Sequence, residues 1–258
     1  MIITSWNVNS IRVRIEHVIS YLKKVKPDFL LLQEIKTEDH GFPYKSFLDI
    51  GYECKVHGQK SYNGVAIIHK NKILNHEVSL INDKSNQSRI MSIETEFNKD
   101  KYKIFCIYIP NGNPVDTVKF KYKLKWLKDF EKLIILENKK SNKIIIVGDC
   151  NIIPEDIDVY DPKAWENDAL FKIEVRKIFR KIINEGFTDA FRLVNNKAEM
   201  YTFWDYQFRS FENNKGLRID HFLISNNIAK AIKNVTIDKE FRELERPSDH
   251  APIKLILN

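Results

Sequence analysis

Short apolar runs that end abruptly in an amide or a carboxylate recur along the whole chain. Ile144 to Val147 are β-branched throughout and too few for a helix, which predicts a strand buried on both faces. Gly148 closes that run and Asp149-Cys150-Asn151 follow. If the extended geometry persists, Asp149 and Asn151 project to one side and Cys150 to the other. Ile2 to Asn9 has the same form, a strand closing on Asn7 and Asn9, and Phe29 to Leu32 is a second buried strand closed by Gln33 and Glu34. Between those two, Ile15, Val18, Ile19, Leu22 and Val25 keep helical spacing over Arg14 to Lys26, and Pro27 stops the helix.

A polar loop, Gly58 to Gly64, leads into a strand over Val65 to His69. Met91, Ile93, Thr95 and Phe97 alternate with polar residues, the chain turns at Asn98 to Asp100, and Tyr102 to Tyr108 returns, which predicts a hairpin. Pro110 to Pro114 breaks it, and Lys119 to Asn138 reads as an amphipathic helix with Phe120, Leu124, Leu127, Phe130 and Ile134 on its stripe. An irregular segment, Glu155 to Ala169, precedes a helix over Ile173 to Asn184 that ends at Gly186. Gly216 to Ile224 is a late strand, and the loop Arg246 to Pro252 leads into a last one ending at Leu257. The two halves share a strand-helix-strand pattern without repeating in sequence. With 258 residues and no Pro-, Gly- or Ser-rich linker, the expectation is one α/β domain spanning 1–258.

Charge then narrows the class. Lys and Arg exceed Asp and Glu by 42 to 35, a net +7, which suits a polyanionic partner such as nucleic acid and also simple solubility. Cys54, Cys106 and Cys150 are odd in number and far apart, without zinc or disulfide spacing, so a reducing, cytoplasmic setting is expected. The chain starts directly in an apolar strand without a basic leader, and no apolar run approaches membrane-spanning length, so neither secretion nor a membrane partner is expected. A monomer is the expected state.

The chemistry lies in Glu34, Asp149, Asp220 and Asp249 with Asn7, Asn9, Asn151 and His250, all at strand ends or in short loops. In open α/β architectures strand ends gather at one rim. Each residue alone has an ordinary explanation: Glu34 as a solvated terminus, Asp220 paired with Arg218, Asp249-His250 as a turn before Pro252. Asp220, however, stands between Ile219 and the run Phe222 to Ile224, and a buried carboxylate needs a partner, for which His250 is the natural candidate. Hard oxygen ligands without cysteine point to Mg²⁺, or Mn²⁺ in its place. Joined to a basic surface, they favour phosphodiester hydrolysis.

Trp-Asn-Val-Asn (6–9), Leu-Gln-Glu-Ile-Lys (32–36), Gly-Gln-Lys-Ser-Tyr-Asn-Gly-Val-Ala (58–66), Tyr-Ile-Pro-Asn-Gly (108–112), Gly-Asp-Cys-Asn (148–151), Gly-Leu-Arg-Ile-Asp (216–220) and Pro-Ser-Asp-His-Ala-Pro (247–252) follow one another in order. Together they resemble the exonuclease III family of apurinic/apyrimidinic endonucleases, nearly end to end. The resemblance implies a four-layer α/β sandwich, two mixed β-sheets packed face to face and flanked by helices. It also implies Mg²⁺-dependent cleavage of duplex DNA 5′ to abasic sites, with 3′–5′ exonuclease and 3′-phosphatase activities at blocked 3′ ends. By motif, Glu34 would bind the metal with Asn9 and Asp249 near it and Asn7 in support. Asp149 would orient or deprotonate the attacking water, Asn151 would hold that water or a phosphate oxygen, and Tyr108 would contact the scissile phosphate. Asp220 would orient His250, which stabilises the phosphate in the transition state. Phe203 and Leu217, with Trp204 beside them or simply in the core, would line a pocket for the flipped abasic sugar, and Asn111, Arg218 and Lys60 would contact DNA. Ser10, Ile35 and Cys150 depart from the residues usual in the family without removing a proposed ligand. Related phosphoesterases of the same broad fold, acting as general nucleases or on lipid or inositol phosphates, are the alternative. A binding protein without catalysis leaves the carboxylates unexplained, since they repel DNA unless a metal intervenes.

Overall fold

A computed structural model of the chain describes residues 1–140 and 143–258. The strands are β1 (Ile2–Asn7), β2 (Phe29–Gln33), β3 (Glu53–His57), β4 (Val65–His69), β5 (Ile73–Val78), β6 (Ile90–Phe97), β7 (Asp100–Tyr108), β8 (Lys143–Asp149), β9 (Phe187–Asp189), β10 (Asp220–Ser225), β11 (Ile232–Ile237) and β12 (Ile253–Leu257). The helices are α1 (Ile11–Val25), α2 (Tyr44–Leu48), α3 (Val118–Asn138), α4 (Pro162–Trp165), α5 (Ile173–Asn184) and α6 (Ala190–Val194).

The strands form two six-stranded sheets, ordered β11-β12-β1-β2-β4-β3 and β5-β6-β7-β8-β10-β9. Each sheet is mixed: β1 and β2 run parallel in one, β7 and β8 in the other, and the remaining pairs are antiparallel. A parallel neighbour needs a crossover, supplied by α1 in the first sheet and α3 in the second. The shared strand-helix-strand pattern of the two halves is therefore two such units, one per sheet.

Alternation along the strands divides the core into layers. On β8, Ile145 and Val147 face the other sheet, where they join Ile3, Leu31 and Ile67, while Ile144 and Ile146 face the helices α3 and α5. Val18, Tyr21 and Leu22 of α1 cover the opposite outer face over Leu30 and Ile68. Helix, sheet, sheet and helix make the four-layer α/β sandwich that the motifs imply. Among the described residues no helix is long and apolar enough to cross a membrane.

Among the boundaries that differ from the sequence pattern, two have a clear packing cause. Helix α1 starts at Ile11 rather than Arg14, because Ile11 is buried against the sheet and supplies an extra apolar position; Arg14 itself departs from helical geometry. The late strand joins its ladder only from Asp220, because Leu217 is bridged instead to Phe203 and Val159 outside the sheet.

Candidate active site

Register places three residues side by side at one end of the second sheet: Tyr108 on β7 opposes Asp149 on β8, which opposes Asp220 on β10. Gly148 makes this close alignment possible. Its φ is +150°, and a Cβ there would stand 1.9 Å from the Ile107 carbonyl oxygen. In the first sheet β1 and β2 finish together, Asn7 beside Gln33, with Glu34 next along the chain.

One amide joins the two ends. Asn7, fully buried, donates from Nδ2 to Glu34 Oε1 at 2.8 Å and to Asp149 Oδ2 at 2.9 Å. The extended geometry expected for Asp149 and Asn151 does not persist: Asn151 turns into the left-handed region (φ +46°), and its backbone N–H donates to Asp149 Oδ1 at 2.9 Å. Asn9 repeats the device in the first sheet, with φ +43° and its N–H bonded to Asn7 Oδ1 at 3.0 Å. Asx turns of this kind fix the preceding side chain as an acceptor.

His250, on the loop before β12, is buried; its Nδ1 meets Asp220 Oδ2 at 2.8 Å and its Nε2 lies 3.7 Å from Asp149 Oδ2. Burial by itself would lower the imidazole, but the carboxylates of Asp220 and then Asp149 outweigh it and hold the ring protonated well above its ordinary value. Burial raises Asp149, against the pull of His250 and with help from Asp220 and Glu34. Glu34 behaves oppositely: burial would raise it, but Lys36 at 2.9 Å and the Asn7 amide bring it below the usual carboxylate range. Burial and the neighbouring carboxylates of Glu34 and Asp149 push the Tyr108 phenol up, so it remains a donor.

Glu34, Tyr108, Asp149 and His250 line a cleft of about 300 Å³ whose other wall carries Phe203, Leu217, Ile219, Trp165 and Asp168. The Phe203 ring meets the His250 ring edge-on, 5.0 Å between centroids. Asn111, exposed at the rim, donates from Nδ2 to Asn151 Oδ1 at 3.2 Å. Asn9 donates from Nδ2 to Asp249 Oδ1 at 3.2 Å. Lys60 is exposed on the Gly58–Gly64 loop. A larger cavity, about 530 Å³ between α5 and α6, is lined by Phe179, Ile183 and Leu193 and lacks this convergence of carboxylates, amides and imidazole.

One sequence expectation is corrected, and a second, left open between pocket and core, is decided. Arg218 is 1% exposed, bonded through Nε to Asp158 at 2.6 Å and through Nη2 to Asp189 at 2.8 Å, so it is an internal strut rather than a phosphate contact, and it is not the partner of Asp220. Trp204 is fully buried among Tyr201, Phe211 and Ala251, with Nε1 bonded to Asn214 at 3.3 Å, and belongs to the core. Sequence reasoning missed Ile219, Trp165, Asp168 and Asn113. Asn113 donates from Nδ2 to the Asp168 carboxylate at 3.0 Å and ties the irregular 155–169 segment to the cleft. Ile219 was accessible from its place beside Leu217, whereas Trp165 and Asp168 sit in a segment without periodicity.

The donor set fits a hard cation. Lys36 Nζ stands between Glu34 Oε2 at 2.9 Å and Asn9 Oδ1 at 2.5 Å, so two oxygens already converge on a positive charge. Among the described residues no three His, Cys, Asp or Glu side chains close round one point. An ion here would keep several waters, as Mg²⁺ does when one or two carboxylates hold it.

Two mixed sheets meeting at a cleft of carboxylates, amides and a buried imidazole define an α/β-sandwich hydrolase. The profile of the endonuclease/exonuclease/phosphatase family matches residues 4–250, and the chain belongs to that family. It is 35% identical to the exodeoxyribonuclease III of Haemophilus influenzae, with 96% of this chain and 97% of that protein covered. A solved 3′-phosphatase from Neisseria, bound to a product DNA hairpin, superposes with a TM-score of 0.93 at 36% identity, covering 100% of this chain and 99% of that one. An AP endonuclease from Archaeoglobus fulgidus also reaches 0.93, at 31% identity, with the same coverage. The resemblance carried by the motifs thus extends over the whole chain.

Proposed function

We propose that the chain is a Mg²⁺-dependent DNA-repair phosphodiesterase that cuts duplex DNA 5′ to abasic sites and trims or dephosphorylates 3′ ends. The observation that carries this is the single Asn7 amide holding Glu34 and Asp149 together beside a buried His250 that meets Asp220, in a cleft walled by Phe203 and Leu217. Glu34, Asn9 and Asp249 would hold the ion, with Asn7 in support. When bound, Mg²⁺ or Mn²⁺ supplies neutralisation of charge on the phosphoryl oxygens.

Asp149, raised in proton affinity by burial, takes the proton of the attacking water, which Asn151 helps to hold. His250, oriented by Asp220, donates from Nε2 to a phosphoryl oxygen as charge develops there. The Tyr108 phenol and the Asn111 amide donate to the same phosphate. Phe203 and Leu217 form an apolar wall that admits a bare deoxyribose and excludes an intact nucleotide. Lys60 stands at the margin for a flanking phosphate. The protein acts as a monomer in a reducing cytoplasm, which its three free thiols suit.

Rates on an abasic duplex, an intact recessed duplex and a nicked 3′-phosphate duplex, with Mg²⁺ and with EDTA, test the assignment. Chelation should abolish turnover, and Asp149→Asn should lose nearly all cleavage while still binding DNA. Wild-type cleavage by that variant, or activity confined to lipid or inositol phosphates, would refute it.

A further inference from the structure

The inward stripe of α3 contains one residue out of character. Lys123 lies between Phe120 and Trp126 at helical spacing and is completely buried. Its ammonium donates to two backbone carbonyls, Asn111 O at 2.9 Å and Asn151 O at 2.6 Å, and among the described residues no carboxylate lies within ion-pair distance of it. Burying an ammonium with only neutral acceptors is unfavourable, and burial brings this one down to about 7.

The two carbonyls belong to the residues whose side-chain amides face the cleft, and those amides are themselves linked, Asn111 Nδ2 to Asn151 Oδ1 at 3.2 Å. Each sits on a loop leaving a different strand, β7 and β8. Gly112 is moulded round the lysine: a Cβ there would stand 2.5 Å from Lys123 Cδ.

We propose that Lys123 is a positioning residue of the catalytic cleft, a buried clamp that holds the loops carrying Asn111 and Asn151 at the spacing the scissile phosphate requires. The inference rests on the phosphodiesterase reading above. It assigns Lys123 no contact with DNA, so its loss should appear in the chemical step and not in binding.

The test compares wild type, Lys123→Met, Asn151→Ala and the double variant on an abasic duplex with Mg²⁺, with DNA affinity measured across salt in EDTA. Lys123→Met leaves Asn111 O and Asn151 O without a donor and should lower Tm by several degrees while staying folded at the assay temperature. Its kcat should fall about ten- to hundredfold, the scale on which supporting partners of a catalytic group act, with KM and the salt slope unchanged. In the Asn151→Ala background the same substitution should cost much less. Lys123→Gln keeps a donor and should recover part of the loss; it makes the same comparison if the methionine variant does not fold. Unchanged kcat in a folded variant, fully additive losses, or a salt slope reduced by about one as for a direct phosphate contact, overturns the proposal. Failure of the underlying reading is seen separately, as wild-type cleavage by Asp149→Asn.

Discussion

Replacing Arg218 with methionine separates an internal strut from a DNA contact. The side chain is 1% exposed and meets Asp158 through Nε at 2.6 Å and Nη2 at 3.0 Å, Asp189 through Nη2 at 2.8 Å, and His221 Nδ1 through Nη1 at 3.0 Å. Asp158 is itself fully buried, and its remaining cation is Arg192. Methionine matches the apolar stem but leaves those carboxylates short of a partner. Removing one member of a buried pair costs about 3–5 kcal/mol, a fall in Tm of about 6–20 °C for a chain of this size. Burial would raise Asp158, but Arg218 and then Arg192 hold it below the ordinary carboxylate range. A depressed folded pKa gives stability that is present above the unfolded value and lost as pH falls through the folded one. The gap between wild type and variant should therefore be widest near neutrality and close on acidification. Thermal melts across that range and DNA binding against salt are the assays. A variant that melts with wild type but whose salt slope drops by about one, the signature of a lost phosphate contact, refutes the strut.

His250→Ala should lower kcat by about a hundred- to thousandfold, the range for a lost donor to developing charge, with DNA affinity within a few-fold; a loss seen only in KM contradicts the role. Gly148→Ala forces a methyl group onto the Ile107 carbonyl and should cost about 1–3 kcal/mol as overpacking, together with activity. Urea melts returning the wild-type midpoint would show that β7 and β8 can part there. Phe203→Ala should reduce the preference for abasic over intact duplex by about tenfold or more, the scale of a pocket contact; an unchanged ratio on the two substrates removes Phe203 from selection.

The central strands were legible because both of their faces are buried: Ile144 to Val147 and Phe29 to Leu32 carry no polar residue to confuse the pattern. The strands left unread were β3, β5, β9 and β11, and these are the four sheet edges. An edge strand is half solvated, so Glu53 to His57 and Ile73 to Val78 mix charges with apolar residues and show no clean period. At the cleft, the motifs located Asp149, His250 and Glu34, but periodicity could not show that Asn9 and Asn151 leave extended geometry, because that depends on a backbone N–H finding its neighbour's side chain. Arg218 looked like a surface cation because Asp158 and Asp189, which neutralise it, lie far away in sequence. Lys123 was passed over for the opposite reason: its apolar neighbours made the stripe readable without it.

The Asn7 amide spans the seam between the sheets, with one N–H bond on each side. It acts as an alignment pin, and a shear of the sandwich too small to expose any core must break one of those bonds first. If the proposed roles of Glu34 and Asp149 hold, turnover should report sheet registry, and on warming it should fade while the strands are still intact.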